Sequence, residues 1–289
     1  MSSIQIGGKT VGDGRPCYVI AEIGINHNGD LDLAKRLISV ASAAGCNAVK
    51  FQKRTPEICV PQSQRNIMRE TPWGYISYMD YRYKVEFSLD QYREIDKYCR
   101  EHNIHWFASC WDEPSVDFIE QFDIPCYKIA SATMNNEGLL RHTRATGKPI
   151  ILSTGMSDLA DVDRAVAILG RENLALLHAV STYPASYDEL NLRAIQTLHD
   201  HYQVPIGYSG HETGIPTTVA AVALGACIVE RHITMDRAMW GSDQSASLEP
   251  NGLIRLIRDI RLVESAMGDG IKHILEREKP IIERLRRAN

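Results

Sequence analysis

The 289-residue sequence has no apolar stretch approaching the length of a membrane span, and its opening residues lack a basic segment followed by an apolar one. A cytoplasmic protein without membrane association is expected. Positive charge is not in surplus: 32 basic against 36 acidic residues leave a net charge of -4, which gives no electrostatic basis for nucleic-acid binding. An anionic ligand must then be held by a few local lysines. The seven cysteines are odd in number, show no Cys-x-x-Cys spacing and sit mostly in apolar runs such as Ala41 to Cys46, so reduced structural thiols are expected. Internal sequence repeats and low-complexity tracts are also missing. No Gly-x-Gly-x-x-Gly turn occurs where a dinucleotide fold needs one, since the first candidate reads Gly24-Ile25-Asn26-His27-Asn28-Gly29.

What is present is alternation. Short β-rich runs recur at Tyr18 to Gly24, Ala48 to Gln52, Ile104 to Ser109, Cys126 to Ala130, Pro149 to Ser153, Leu174 to Val180, Val204 to Ser209 and Ala226 to Ile233. Between and after them lie helix-period stretches: Leu31 to Ala44, Leu89 to His102, Pro114 to Phe122, Asn136 to Thr146, Leu159 to Leu169, Leu190 to Tyr202, Thr213 to Leu224 and Asn251 to Met267. Such alternation implies a parallel sheet, and eight units imply closure into a (β/α)8 TIM barrel spanning residues 1–289 as one domain. A doubly wound open sheet is the alternative. At residues 1–16, two short strands flank Gly7-Gly8, the signature of a β-hairpin that could cover the barrel bottom. The long connection at residues 54–87 is expected on the catalytic face as a lid or substrate wall, and residues 277–289 as a charged linker or terminal helix.

Chemistry-bearing residues collect at the strand ends, where barrel enzymes place their sites. His211 and His232 close the last two apolar runs, and two imidazoles on successive strands can share one divalent ion with positions left open for substrate. Glu22 ends the first strand, either as an acid or base or as a solvated carboxylate. Lys50 and Lys128 interrupt otherwise apolar strands, and a buried lysine needs an anion, so strands two and four are expected to face a phosphate or carboxylate. Ser109, Ser131, Ser153, Ser181 and Ser209 fall at five strand ends, as a hydrogen-bonding cradle for an anion or as ordinary turn residues. Glu230 lies two residues before His232 and so points the same way, and Asp243 follows on a glycine-bearing loop.

The runs AEIGINHNGD, VKFQ, IPCYKIAS, GKPIILSTGM, HAVSTYP, GYSGHET, VALGACIVERHIT and GSDQSASLEP give nearly the whole chain a specific pattern, and with them it resembles the sialic acid (N-acetylneuraminate) synthases. The resemblance implies a metal-dependent transferase that condenses phosphoenolpyruvate with an N-acetylated amino-sugar aldehyde such as N-acetylmannosamine, releasing phosphate and a nonulosonic acid. His211 and His232 would then be ligands of Mn2+ or Mg2+. Lys50, Ser109, Lys128, Ser131, Ser153, Ser181 and Ser209 would form the phosphoenolpyruvate pocket, while Gln52, Tyr183, Glu230 and Asp243 would line the sugar side. Glu22, with the two lysines, would be catalytic and manage protons near the reacting carbons.

Four departures bear on substrate choice. The family usually continues into a C-terminal antifreeze-like domain that closes the partner subunit's site and supplies an arginine to the sugar, whereas this sequence stops after Glu278-Lys279-Pro280 and a short charged run. Either a separate cap protein or the 54–87 segment takes that role, or the substrate does not require it, and a homodimer through the barrel helices stays open. Gly210 stands where many relatives carry an Asp that could orient the first histidine, and Ser181 where some carry Asn. Cys110 and Trp111 replace a common Pro-Phe. Two other readings are a class I aldolase using Lys128 or Lys50 as a Schiff base, and a non-catalytic sugar- or partner-binding barrel.

Overall fold

The computed structural model describes residues 2–287. Eight parallel strands close into a barrel: Tyr18–Gly24, Ala48–Lys53, His105–Cys110, Tyr127–Ile129, Ile150–Ser153, Leu174–Ala179, Ile206–Gly210 and Ile228–His232, numbered here one to eight. Closure comes from strand eight pairing with strand one, with Ile228 opposite Tyr18 and His232 opposite Glu22. The strands are apolar on both faces because helices cover the outside and packed side chains fill the centre. Every residue of strand one is buried.

The helices follow from capping and spacing. Leu31–Ala44 starts at Asp30, whose side chain accepts the Asp32 and Leu33 amides, and stops at Gly45, whose φ of 89° suits a residue without Cβ. Its buried Leu33, Ala34, Leu37, Ile38 and Ala41 fall on one stripe at helical period. The last barrel helix, Pro250–Met267, opens on proline at its first position. Two expected helices begin late: Thr213 to Leu224 is helical only over Pro216–Ala223, and Leu190 to Tyr202 only over Ala194–Tyr202, where Tyr187–Glu189 forms a 3-10 turn and Asn191 takes a φ of 42°.

Ser3–Ile6 and Lys9–Gly12 form the antiparallel hairpin, with Gly7 and Gly8 at φ 54° and 77°. Gly7 packs against the His105 ring at the start of strand three, and Ile4, Ile6 and Val11 are buried, so the hairpin covers the amino-terminal end of the barrel. The 54–87 connection is folded rather than loose. It holds a helical turn Pro56–Cys59, a hairpin of Met68–Thr71 with Gly74–Ser77, and a helix Tyr78–Val85. Tyr81 of that helix meets Trp240, beyond strand eight, edge to face at 5.1 Å, which ties this connection to the loop that follows strand eight. Near the carboxyl end Lys279–Leu285 is helical with no buried residue. All seven cysteines are free, and none of the described helices is long and apolar enough to cross a membrane.

Candidate active site

Parallel register sets the lateral order of the polar groups. Glu230 lies opposite Ser209, His232 opposite Glu22, Glu22 opposite Lys50, Gln52 opposite Ser109 and Ser109 opposite Lys128. Adjacent strands thus deliver carboxylates, lysines and hydroxyls to one level of the barrel mouth. The pairing shifts between Glu22 and Gly24, where a Cβ on Gly24 would come within 3.1 Å of Glu22 Oε1. Glycine therefore leaves room for Gln52 Nε2 to donate to Glu22 Oε1 at 3.2 Å.

A cavity of about 230 Å³ opens at this level. Glu22, Lys50, Gln52, Ser109, Lys128, Ser131, Ser153, Ser181, Tyr183, Ser209, His211, Glu230 and His232 all line it, so one site gathers every sequence-expected residue except Asp243. Asp243 stands outside the wall, its Oδ2 3.9 Å from His232 Nδ1. Trp111, Met156, Ala130 and Ala132 complete the lining.

The buried lysines find their anions within the protein. Lys50 Nζ lies 2.8 Å from Glu22 Oε2 and 3.6 Å from Glu230 Oε1, and donates to Ser109 Oγ at 2.8 Å. Lys128 Nζ donates to Ser153 Oγ at 2.6 Å and lies 3.8 Å from Glu230 Oε1. Burial raises Glu22 to about 7, with Lys50 opposing and Glu230 reinforcing the shift, so this carboxyl can hold or release a proton near neutrality. Burial works against ionising Glu230 too, but Lys128 and Lys50 outweigh it and hold the group down at about 2. Lys128 is drawn down to about 8 by burial, against the pull of Glu230. For Lys50, burial is overcome by Glu22 and Glu230, and its pKa rises. Two carboxylates of opposite tendency therefore face one pocket, as acid-base chemistry requires.

On the other side the hydroxyls surround a backbone donor that carries no sequence signal. The Gly155 N–H donates to Ser131 Oγ at 2.9 Å. A Cβ on Gly155 would overlap Ser181 Oγ and come within 2.8 Å of Ser131 Oγ, so the cradle exists only with glycine there.

The two imidazoles face each other with ring centres 5.6 Å apart. His211 Nδ1 lies 2.6 Å from the Val180 carbonyl and donates to it, which leaves Nε2 with its lone pair, 2.9 Å from the Tyr183 hydroxyl. His232 Nδ1 is buried with no hydrogen-bond partner. Burial and the neighbouring His232 push His211 down to about 4, and burial also lowers His232, so both are neutral at pH 7. Neutral imidazoles with free lone pairs, one orphaned, fit a divalent cation. No cluster of three or more His, Cys, Asp or Glu able to hold a metal occurs among the described residues, so these two side chains would be its principal protein ligands.

Next to the histidines in the chain lies an ion pair without a motif to announce it. Arg231 and Glu212, both wholly buried, meet at 3.2 Å between Nη1 and Oε1. Glu212 also accepts from Tyr208 Oη at 2.9 Å, Thr217 Oγ1 at 2.7 Å and Thr218 Oγ1 at 3.0 Å. This accounts for Gly210, since a Cβ there would lie 2.7 Å from Glu212 Oε2 and 2.8 Å from Tyr208 Cε1. The space beside the first histidine is already filled by a carboxylate reaching in from Glu212.

Residues 37–272 match the model of the NeuB family. The chain is 42% identical to human N-acetylneuraminate-9-phosphate synthase over 283 residues, 96% of this chain and 79% of that protein. It is 38% identical to N,N'-diacetyllegionaminic acid synthase of Campylobacter jejuni, across 93% of this chain and 83% of that one. Its fold superimposes on the crystal structure of N-acetylneuraminic acid (sialic acid) synthetase from Leptospira borgpetersenii, determined with citrate, at a TM-score of 0.88 and 33% identity, covering 99% and 98% of the two chains. The chain belongs to the NeuB family.

Proposed function

We propose that this barrel condenses phosphoenolpyruvate with the open-chain aldehyde of an acylated amino sugar, giving a nonulosonic acid and inorganic phosphate. The observation that carries this reading is the convergence, in one cavity, of two buried lysines, a serine cradle around the Gly155 amide and a carboxyl balanced near pH 7. Lys50, Lys128 and Ser109, Ser131, Ser153, Ser181 and Ser209 hold the phosphate and carboxylate of phosphoenolpyruvate. Gln52, Tyr183 and Glu230 face the sugar, and Asp243 supports that side through His232. A divalent cation, Mn2+ or Mg2+, held by His211 and His232, would polarise the aldehyde carbonyl.

Positioning brings C3 of phosphoenolpyruvate onto the aldehyde carbon, and a carbon-carbon bond forms as the carbonyl oxygen gains a proton. Water adds to C2. Glu22 takes the proton from that water, and Lys50, 2.8 Å away, stabilises the carboxylate before it accepts the proton. The tetrahedral C2 then collapses to a ketone as its bond to the phosphate oxygen breaks.

The test is phosphate release from phosphoenolpyruvate with Mn2+ across N-acetylmannosamine, diacetamido hexoses and unmodified aldoses, beside His211→Ala. Release with an amino sugar and its loss in the variant is the expected result. Binding of phosphoenolpyruvate with no release for any sugar would instead favour a non-catalytic barrel.

A further inference from the structure

The polar run Asn26-His27-Asn28-Gly29, just after strand one, has no part in the condensation described above, and none of the four lines the cavity. Asn26 and His27 are nonetheless each only 2% exposed. A buried amide needs partners, and those of Asn26 and Asn28 lie on the segment after strand eight. Asn26 Nδ2 donates to the Ile233 carbonyl at 2.9 Å and to Ser247 Oγ at 2.8 Å, and Ser247 Oγ in turn donates to the Asp243 carbonyl at 2.6 Å. Asn28 Nδ2 donates to the Trp240 carbonyl at 2.9 Å. In the reverse direction, buried Gln244 donates from Nε2 to the Asn26 carbonyl at 3.3 Å.

The same run also meets the 54–87 connection. The His27 ring stacks on Phe87 with centres 4.1 Å apart, and a Cβ on Gly29 would overlap the Lys84 carbonyl oxygen in the helix Tyr78–Val85. Trp240, whose carbonyl Asn28 holds, also carries the ring that meets Tyr81. One loop thus grips both segments.

Asp243 lies among these ties. It stands outside the cavity wall, with Oδ2 3.9 Å from His232 Nδ1 and Oδ1 accepting from the Ser242 hydroxyl at 2.7 Å. The base of its loop is closed by backbone, the Leu248 N–H donating to the His232 carbonyl at 2.8 Å and the Thr234 N–H to the Leu248 carbonyl at 2.9 Å. Farther out, Trp240 is tied by Asn28 and Asp243, through Ser247, by Asn26.

We propose that Asn28, and Asn26 acting through Ser247, are positioning residues that hold Asp243 beside His232 and so set the sugar end of the cavity without touching substrate. This rests on the reading of the cavity as a synthase site. The lysines and serines of the phosphoenolpyruvate end make no hydrogen bond to this loop among the described residues, so its loss falls on one substrate.

The test sets wild type beside Asn28→Gly, Asn28→Asp and Ser247→Ala. Glycine keeps the φ of 48° and removes the donor, whereas aspartate keeps the size but turns an acceptor toward the Trp240 carbonyl. Asn103→Gly, at an exposed residue with φ 50°, controls for added chain entropy. Kinetics are measured with phosphoenolpyruvate, Mn2+ and either N-acetylmannosamine or a diacetamido hexose, and backbone hydrogen exchange is followed in the same proteins without substrate. The expected result in all three variants is a fall of about tenfold in kcat/KM for the sugar, with KM for phosphoenolpyruvate moving less than about twofold. Amides of residues 234–248 should exchange faster than in wild type or Asn103→Gly. An unchanged kcat/KM for the sugar, a parallel loss for both substrates, or loop exchange that neither Asn28 variant moves overturns the proposal. Should wild type turn over no sugar, the synthase reading falls and exchange decides alone: faster exchange confined to residues 234–248 upholds the brace on Asp243, and unchanged exchange overturns it.

Discussion

Lys128 shows how a single side chain can be tuned by its surroundings. It is buried between Ser153 and Glu230, and burial lowers its pKa to about 8 although Glu230 works in the other direction. A lysine is charged below its pKa, so under the proposed function the charge that Lys128 offers phosphoenolpyruvate is nearly full at pH 7 and is lost as pH rises through about 8. The expected outcome is that kcat/KM for phosphoenolpyruvate falls roughly tenfold per pH unit above that point. A Lys128→Arg variant, which cannot lose its proton, should flatten this limb even if its rate is lower. A profile level to pH 10 in wild type would remove Lys128 from the anion pocket. The same contacts weaken the aldolase alternative, since both lysines are engaged with carboxylates rather than standing free as amines. Lys128 and its partners were legible because a charge inside an apolar strand is conspicuous. Gly155 was not, because its contribution is an amide N–H and a missing Cβ.

At the scale of elements, strand eight shows the period-two rule placing three charged or polar residues to different ends. Glu230 and His232 face the cavity, and Arg231 between them turns outward into a fully buried pair with Glu212. Arg231 also donates to the carbonyls of Glu212 at 2.6 Å and Gly214 at 2.8 Å, and so fixes the segment that follows His211. Removing one partner of a buried pair leaves a stranded charge, so Glu212→Gln is expected to cost about 3 kcal/mol in urea unfolding. The double change Glu212→Met with Arg231→Met should recover most of that stability while leaving Mn2+ affinity reduced, because the histidines lose their brace. Equal Mn2+ affinity in all three proteins would reduce the pair to a purely structural role. The eight strands were readable to within a residue or two, since apolar runs bounded by turns have no other place to go. The pair was hidden because Arg231 and Glu212 read as surface charge in sequence, and the lid's hairpin because Met68–Thr71 and Gly74–Ser77 have little buried surface to impose alternation.

For the molecule as a whole, the site is a cost that the barrel carries. Glu22 is 1% exposed and its carboxyl sits at about 7 in the folded protein, above its ordinary 4.5. The folded state therefore holds this proton more tightly than the unfolded chain between those two values, and the group's contribution to stability declines as pH rises from 4.5 to 7. Above pH 7 the full penalty of a buried charge is present, offset only in part by Lys50. Glu22→Gln removes the titration while keeping an oxygen and an amide near Gln52 and Lys50. The variant is expected to lose turnover and to melt higher than wild type at pH 8, by a few degrees for each kcal/mol regained. That gap should narrow as the pH is lowered toward 5, where wild-type Glu22 is protonated and resembles the amide. Melting curves of both proteins at several pH values decide the matter. A gap that stays constant with pH would mean that the Lys50 pair already satisfies the carboxylate, and that Glu22 enters the reaction as a permanent anion rather than as a carrier of protons.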